Sequence, residues 1–191
     1  MKDDTATDMK VEESNIDGLS VIYLRQVADG RGVIRELFRE SALEKAGLSG
    51  FGVWRQVNIT ETKFGVVRGL HGEDMWKLVS LASGSGLGVY VDLRVGSKTR
   101  GNLFTVLLKP GVQVLIPNGV CNGFQSTSIE PSQYVYCFDR EWKSGMKGYS
   151  ITPLDPELHV RWPVEIVPSN RNQISQKDVE APLLREALAG P

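Results

Sequence analysis

Histidine is scarce in this chain: among 191 residues only His71 and His159 carry an imidazole. His71 stands in "VVRGLHGEDMWKLV", and Lys77 follows it six positions later. An imidazole gains and loses a proton near neutral pH, while a lysine brings a positive charge. Proton transfer needs only a base and an acid on opposite sides of a bound substrate, with something nearby to hold negative charge, and His71 qualifies as the base. Taken alone, a histidine at a strand end usually satisfies one hydrogen bond, and a lysine usually ends in solvent. Lys77, however, opens "KLVSLA", which is almost wholly apolar from Leu78 to Ala82, so it stands where a strand enters a buried region. A tight Arg-Gly-Leu turn is expected just before His71.

Other chemistries lack their parts. His71 and His159 form no HxH or HxxxH pair, so the several imidazoles by which a barrel grips iron or zinc are missing and no metal site is expected. No GxSxG elbow offers a serine nucleophile. "GSGLG" precedes a strand and not a helix, and reads as a hairpin turn instead of a phosphate cradle. A formal net charge of −1 provides no broad basic field for a nucleic acid. Cys121 and Cys137 are too few for a disulfide framework and form no CxxC pair, which fits reduced thiols in a cytoplasm. The opening "MKDDTATDMKVEESNIDG" has no apolar signal-peptide core, and no run reaches membrane-spanning length. A cytoplasmic protein without nucleic-acid or membrane partners is expected.

The elements that must position these residues are mostly strands. Residues 1–17 are polar and charged, and are expected to be a loose tail. Residues 18–191 then make one domain, with 41% hydrophobic and 24% charged residues over the whole chain, as in ordinary globular proteins. "LSVIYLRQV" followed by "ADGRG" predicts a hairpin. "SALEKAG" predicts a two-turn helix with Ser41 as cap, Glu44 completing a capping box and Gly47 as terminator. "VWRQVNITE", "GVVRGL", "KLVSLAS", "LGVYVDLRV", "NLFTVLL", "VQVLIP", "QYVYCF" and "HVRWPV" read as strands, separated by glycine, proline, asparagine and serine. A short helix is expected over Pro182–Ala189. Many strands without helical crossovers argue for an all-β fold, an antiparallel sandwich or jelly-roll barrel with a few short peripheral helices. In "GVYVDLR" alternation places Val89 and Val91 on one face and Tyr90, Asp92 and Arg94 on the other. The charged face lines a cavity if it lies inside the barrel and is solvated surface if it lies outside.

The motifs "DGRGVIRELF", "RQVNITET", "GVVRGLH", "KLV", "VYVDLRVGSKTRGN", "VLIPNGVCNGF", "YVYCFD", "LDPELHVRWP" and "ISQKD" follow one another in an order that resembles the dTDP-4-dehydrorhamnose 3,5-epimerase family. They span about Leu19 to Asp178. The resemblance implies a cupin-type jelly-roll barrel that works without metal or other cofactor, usually as a homodimer exchanging amino-terminal strands. It implies His71 as general base oriented by Asp178, Lys77 balancing the enolate oxygen with Asp92 near it, and Tyr136 as general acid. It also implies Arg31, Glu36, Gln56, Asn58 and Arg68 toward the nucleotide, and Trp142 where the family often has a tyrosine. The implied reaction is epimerisation at C3, C5 or both of a nucleotide-linked 4-keto-6-deoxyhexose. Two departures stand out. Asn122 occupies the segment where members usually carry a second histidine, so a single inverted carbon is expected. "HGE" replaces the commoner His-aromatic-Gln pattern. The alternatives are a nucleotide-sugar binding protein without turnover and a 3,4-ketoisomerase on a related barrel.

Overall fold

The structure is a computed structural model and describes residues 5–190. In chain order the strands are β1 (Thr5–Thr7), β2 (Lys10–Glu13), β3 (Ser20–Tyr23), β4 (Gln26–Asp29), β5 (Gly32–Arg35), β6 (Gln56–Thr62) and β7 (Val67–Glu73). They continue as β8 (Lys77–Ser83), β9 (Gly86–Asp92), β10 (Leu103–Leu108), β11 (Val112–Ile116), β12 (Val120–Ser126), β13 (Ser132–Phe138) and β14 (Gly148–Ser150). Three short α-helices accompany them: α1 (Glu40–Lys45), α2 (Gln176–Val179) and α3 (Leu184–Ala189). A five-stranded sheet, β10-β9-β12-β7-β14, faces a six-stranded one, β2-β3-β11-β8-β13-β6, and β1-β4-β5 forms a small third sheet. Every pairing is antiparallel. This is the all-β jelly roll expected from the strand pattern.

Apolar side chains fill three layers. Between the two large sheets Val79, Leu81, Tyr90, Val114, Ile116, Phe124 and Tyr134 pack together, with the Phe124 and Tyr134 rings 4.8 Å apart. Outside the five-stranded sheet, Val89, Val91 and Cys121 are covered by Ile151, Leu158 and the α3 residues Leu184 and Leu188. Outside the six-stranded sheet, Leu78 and Leu115 are covered by Leu43 of α1, Trp54 and Trp76. Because β8 and β9 are buried on both faces, they read as near-continuous apolar runs instead of alternating ones.

Four local expectations need correction. Of the expected loose tail, residues 1–4 lie outside the described residues, but residues 5–17 are built into the fold. There β1 pairs β4, β2 pairs β3, and Ile16 is buried in the main core. Backbone pairing along a sheet edge supplies what the composition lacked: Val11 lies opposite Ile22, and at the rim the Asn15 side chain donates to the Leu103 carbonyl while the Asn102 side chain donates to the Asn15 carbonyl. Helix α1 starts at Glu40 with Arg39 as its unassisted cap, so Ser41 sits inside the helix and caps nothing. "HVRWPV" forms no strand: Val160 and Trp162 pack as irregular chain on the outer layer, with the indole donating to the Pro153 carbonyl at 3.0 Å. The fourth is an addition: β12 is not among the expected strands, because both its faces are buried and its interrupted "VCNGFQS" pattern lacks strand alternation.

Candidate active site

A cavity of about 630 Å³ opens between the two large sheets. One wall comes from β7 and β12 with Arg68, His71, Glu73 and Asn122; the other comes from β6, β8 and β13 with Asn58, Thr60, Lys77, Tyr134 and Tyr136. Trp142 and the segment Arg171–Ser175 with Asp178 close the rim. The volume suits a drug-sized or nucleotide-sized ligand.

His71 is aimed by an irregularity in β7. The strand β12 pairs Asn122 with His71 and Phe124 with Arg68, so three residue steps on β7 oppose two on β12. The extra residue makes a β-bulge, a device that redirects a neighbouring side chain. The expected tight Arg-Gly-Leu turn is therefore a bulge within a strand, and His71 lies inside β7 instead of at its end. Gly69 allows it, with φ at +105° and the space of its missing Cβ only 2.6 Å from the Asn122 carbonyl oxygen.

The His71 Nε2–H donates to Asp178 Oδ1 at 2.7 Å. A carboxylate can only accept, so Nε2 carries a proton, and in the neutral imidazole the lone pair is then on Nδ1. Asp178 is buried on α2, whose first turn is capped by Ser175 Oγ accepting the Asp178 backbone N–H at 3.1 Å. Burial pushes the Asp178 carboxyl up, but the bonds from His71 and Ser175 outweigh it and hold it below the usual carboxylate range.

Across the cavity, Tyr136 on β13 shares a hydrogen bond of 2.7 Å with Thr60 Oγ1 on β6. Lys77 begins β8 and is buried; its ammonium donates to Glu73, to Asn122 Oδ1 at 2.7 Å and to the His71 carbonyl at 3.2 Å. Arg68 anchors through Thr62 Oγ1 at 3.0 Å and the Glu61 carbonyl at 3.1 Å. Gln56 stands just behind this wall, donating to Asn58 Oδ1 at 3.2 Å and accepting the Trp142 backbone N–H at 2.8 Å.

The two sheets thus bring together His71, Asp178, Lys77, Tyr136, Asn58, Arg68, Asn122 and Trp142 around one cavity. A match to the family model dTDP-4-dehydrorhamnose 3,5-epimerase runs over residues 13–186. The chain belongs to that family of isomerases. The dTDP-4-dehydrorhamnose 3,5-epimerase of Streptomyces griseus is 32% identical over 90% of this chain and 85% of the relative. The dTDP-4-dehydro-6-deoxyglucose 3-epimerase of Streptomyces bikiniensis is 30% identical over 84% and 81%. The dTDP-6-deoxy-D-glucose-3,5-epimerase of Legionella pneumophila, solved with dTDP-4-keto-L-rhamnose, superposes with a TM-score of 0.82 at 33% identity, covering 93% of this chain and 94% of that one.

Three residues implied by the family resemblance fall elsewhere. Asp92 does face the barrel interior, but it is fully buried and consumed by structure: it accepts from Arg94 at 2.8 Å, Ser97 at 2.6 Å and Thr99 at 2.7 Å. Burial raises its carboxyl, yet these bonds prevail and bring it to about 2. Arg31 is exposed and paired with Asp29, and Glu36 is paired with Arg39; neither lines the cavity of its own chain. His159 ends a 3-10 turn outside this cavity.

The cavity also contains Thr60, Glu73, Tyr134, Phe138, Arg171 and Ser175, which sequence reasoning missed. A signal for Thr60 was present: in "QVNITET" the polar residues at 56, 58, 60 and 62 alternate with Val57 and Ile59. The polar set faces inward and the apolar set outward, the reverse of an ordinary half-buried strand. Arg171 sits in irregular chain, where no periodicity marks it.

Proposed function

We propose that this chain epimerises a dTDP-linked 4-keto-6-deoxyhexose at C3, C5 or both, with no cofactor. One observation carries the reading: the His71–Asp178 pair and the Tyr136 phenol rise from opposite sheets into one cavity. A hexose ring held between them would have its base on one face and its acid on the other. His71 Nδ1 removes the proton beside the C4 ketone, and the bonding electrons move to the C4 oxygen as an enolate. Asp178 steadies the imidazolium. Tyr136 then delivers a proton to the opposite face of the same carbon, and the enolate electrons return to form the new C–H bond, inverting the centre. Thr60 is placed to pass a proton back to the phenolate.

Arg68 and Arg171 line the cavity with planar guanidinium groups, which suit a diphosphate. Trp142, half exposed at the rim and tied to Gln56, offers an indole face for a pyrimidine. Asn122 lacks a transferable proton near neutral pH, which favours inversion at one carbon. Arg31 and Glu36 become useful if two copies pair. The small sheet carries exposed Val33 and Ile34, and the edge strand β6 carries exposed Val57 and Ile59. The strands β1, β4 and β5 form one small sheet, and we propose that this amino-terminal sheet is the part that reaches a second copy, bringing those two side chains to its cavity. We place the protein in the cytosol, where its two free cysteines stay reduced.

The test is incubation of the protein with a dTDP-4-keto-6-deoxyhexose in heavy water, with proton NMR at C3 and C5. Deuterium entry with an inverted product supports the reading, and His71→Asn should abolish both while dTDP binding persists. Binding without deuterium entry would make the chain a binding protein, and a displaced carbonyl would make it a ketoisomerase.

A further inference from the structure

Lys77 is the lysine that lines the cavity, and its side chain is only 6% exposed. An ammonium has three N–H donors. Here each has an acceptor from the chain itself: the His71 carbonyl, Asn122 Oδ1 and the Glu73 carboxylate. A substrate oxygen entering the cavity therefore meets a cation with no donor to spare. Of the three acceptors, the carbonyl is fixed in β7 and the amide is neutral, so Glu73 alone cancels the lysine's charge. Burial pushes the Glu73 carboxyl up, but the Lys77 charge and hydrogen bond prevail and keep it ionised below its usual range.

We propose that Glu73 is a positioning residue that withholds Lys77 from the neutral substrate ketone and sets how strongly the enolate is stabilised. The inference rests on the enolate reading above. A ketone oxygen is neutral and cannot take an ammonium N–H from a carboxylate; an enolate oxygen carries full charge and can. The contact then forms late, as stabilisation confined to the intermediate requires. The released Glu73 nevertheless stays beside Lys77 and opposes the new anion. On the base side Asp178 is committed to His71, and Glu73 feels the His71 charge less than it feels that of Lys77, so its removal acts mainly through the lysine. Arg68 is tied to β6, and Arg171 to the Pro168 carbonyl. A tempered cation and an asparagine at position 122 work in one direction, toward a single inversion per binding event.

Glu73→Gln keeps the shape and an acceptor oxygen while removing the charge. In heavy water it should lower KM for the keto-sugar several-fold and raise deuterium entry at saturating substrate by about tenfold, as removal of one opposing charge predicts. Both changes should vanish in a Lys77→Met background, which a merely structural role for Glu73 would not produce. Unchanged or slower exchange in Glu73→Gln, with dTDP affinity and Tm retained, overturns the inference. A readout without turnover separates it from the reaction reading: the 15N-resolved ammonium signal of Lys77, assigned by its loss in Lys77→Met. A protected signal that collapses in Glu73→Gln supports the pairing even if no substrate is turned over. A signal that is absent or indifferent to Glu73→Gln overturns it.

Discussion

Replacing Asp178 by asparagine isolates the role of the carboxylate behind the base. Its Oδ1 lies 2.7 Å from His71 Nε2; the Asp178 side chain is 6% exposed and the imidazole 33%, so solvent screens the pair in part from the histidine side. A hydrogen bond to a charged partner in such a place contributes roughly 1.5–3 kcal/mol. That energy acts mainly once His71 is protonated, so losing it slows proton abstraction about ten- to two-hundredfold. The amide adds a second effect. It can donate as well as accept, which permits the imidazole proton to sit on Nδ1, the nitrogen that must be bare. The combined loss should fall at roughly 10²–10⁴-fold in kcat, a range set by orienting carboxylates elsewhere. KM should change little, because the hydrogen bond that Asp178 makes at the cavity rim is to His71. Initial rates of deuterium entry at C3 and C5 measure the effect, with dTDP affinity as the control for an intact cavity. A variant within threefold of the parent would refute the idea that Asp178 governs the base.

Tyr136→Phe leaves the proposed base in place and removes the proposed acid. It should still admit deuterium, with retained configuration, because His71 can return a solvent deuteron to the face it emptied; an inverted product formed at the parent rate would contradict the assignment. Asp92→Asn should leave exchange chemistry intact but lower stability at neutral pH by about 2 kcal/mol, the equivalent of its depressed pKa. The native carboxyl, at about 2, is lower than in the unfolded chain, so its contribution is complete above the usual carboxylate pKa and is lost as pH falls toward about 2. Urea unfolding of parent and variant should therefore differ fully above about pH 4 and converge only as pH falls toward about 2, and a gap independent of pH would refute it. Gly69→Ala should be severely destabilising, since its Cβ would lie 2.6 Å from the Asn122 carbonyl oxygen at a positive φ. A Tm within a degree or two of the parent would show that the bulge can relax.

The sequence by itself determined the fold class and most of the strands, because burial on one face or two leaves a period in the chain that can be read locally. It also marked His71 and Lys77 as unusual, one by scarcity and one by its place at the head of an apolar run. The match of motif order then pointed to Asp178 and Tyr136, which lie 107 and 65 positions from His71 and carry no local sign of their role. Only the tertiary structure decided which of these groups meet. The bulge at Gly69 aims the imidazole, sheet pairing sets Asn122 opposite His71, and the facing sheet supplies the phenol. Asp92 shows the converse: its alternation was read correctly, yet Arg94, Ser97 and Thr99 claim the carboxylate before any substrate can. The partner of Lys77 is only four positions away, yet no strand or helix period pairs them; Glu73 ends β7 in one sheet and Lys77 begins β8 in the other, and they meet because the chain crosses between the sheets there. Periodicity records which face of an element is buried; the partner of a polar group depends on where distant segments end up, and that is settled by packing.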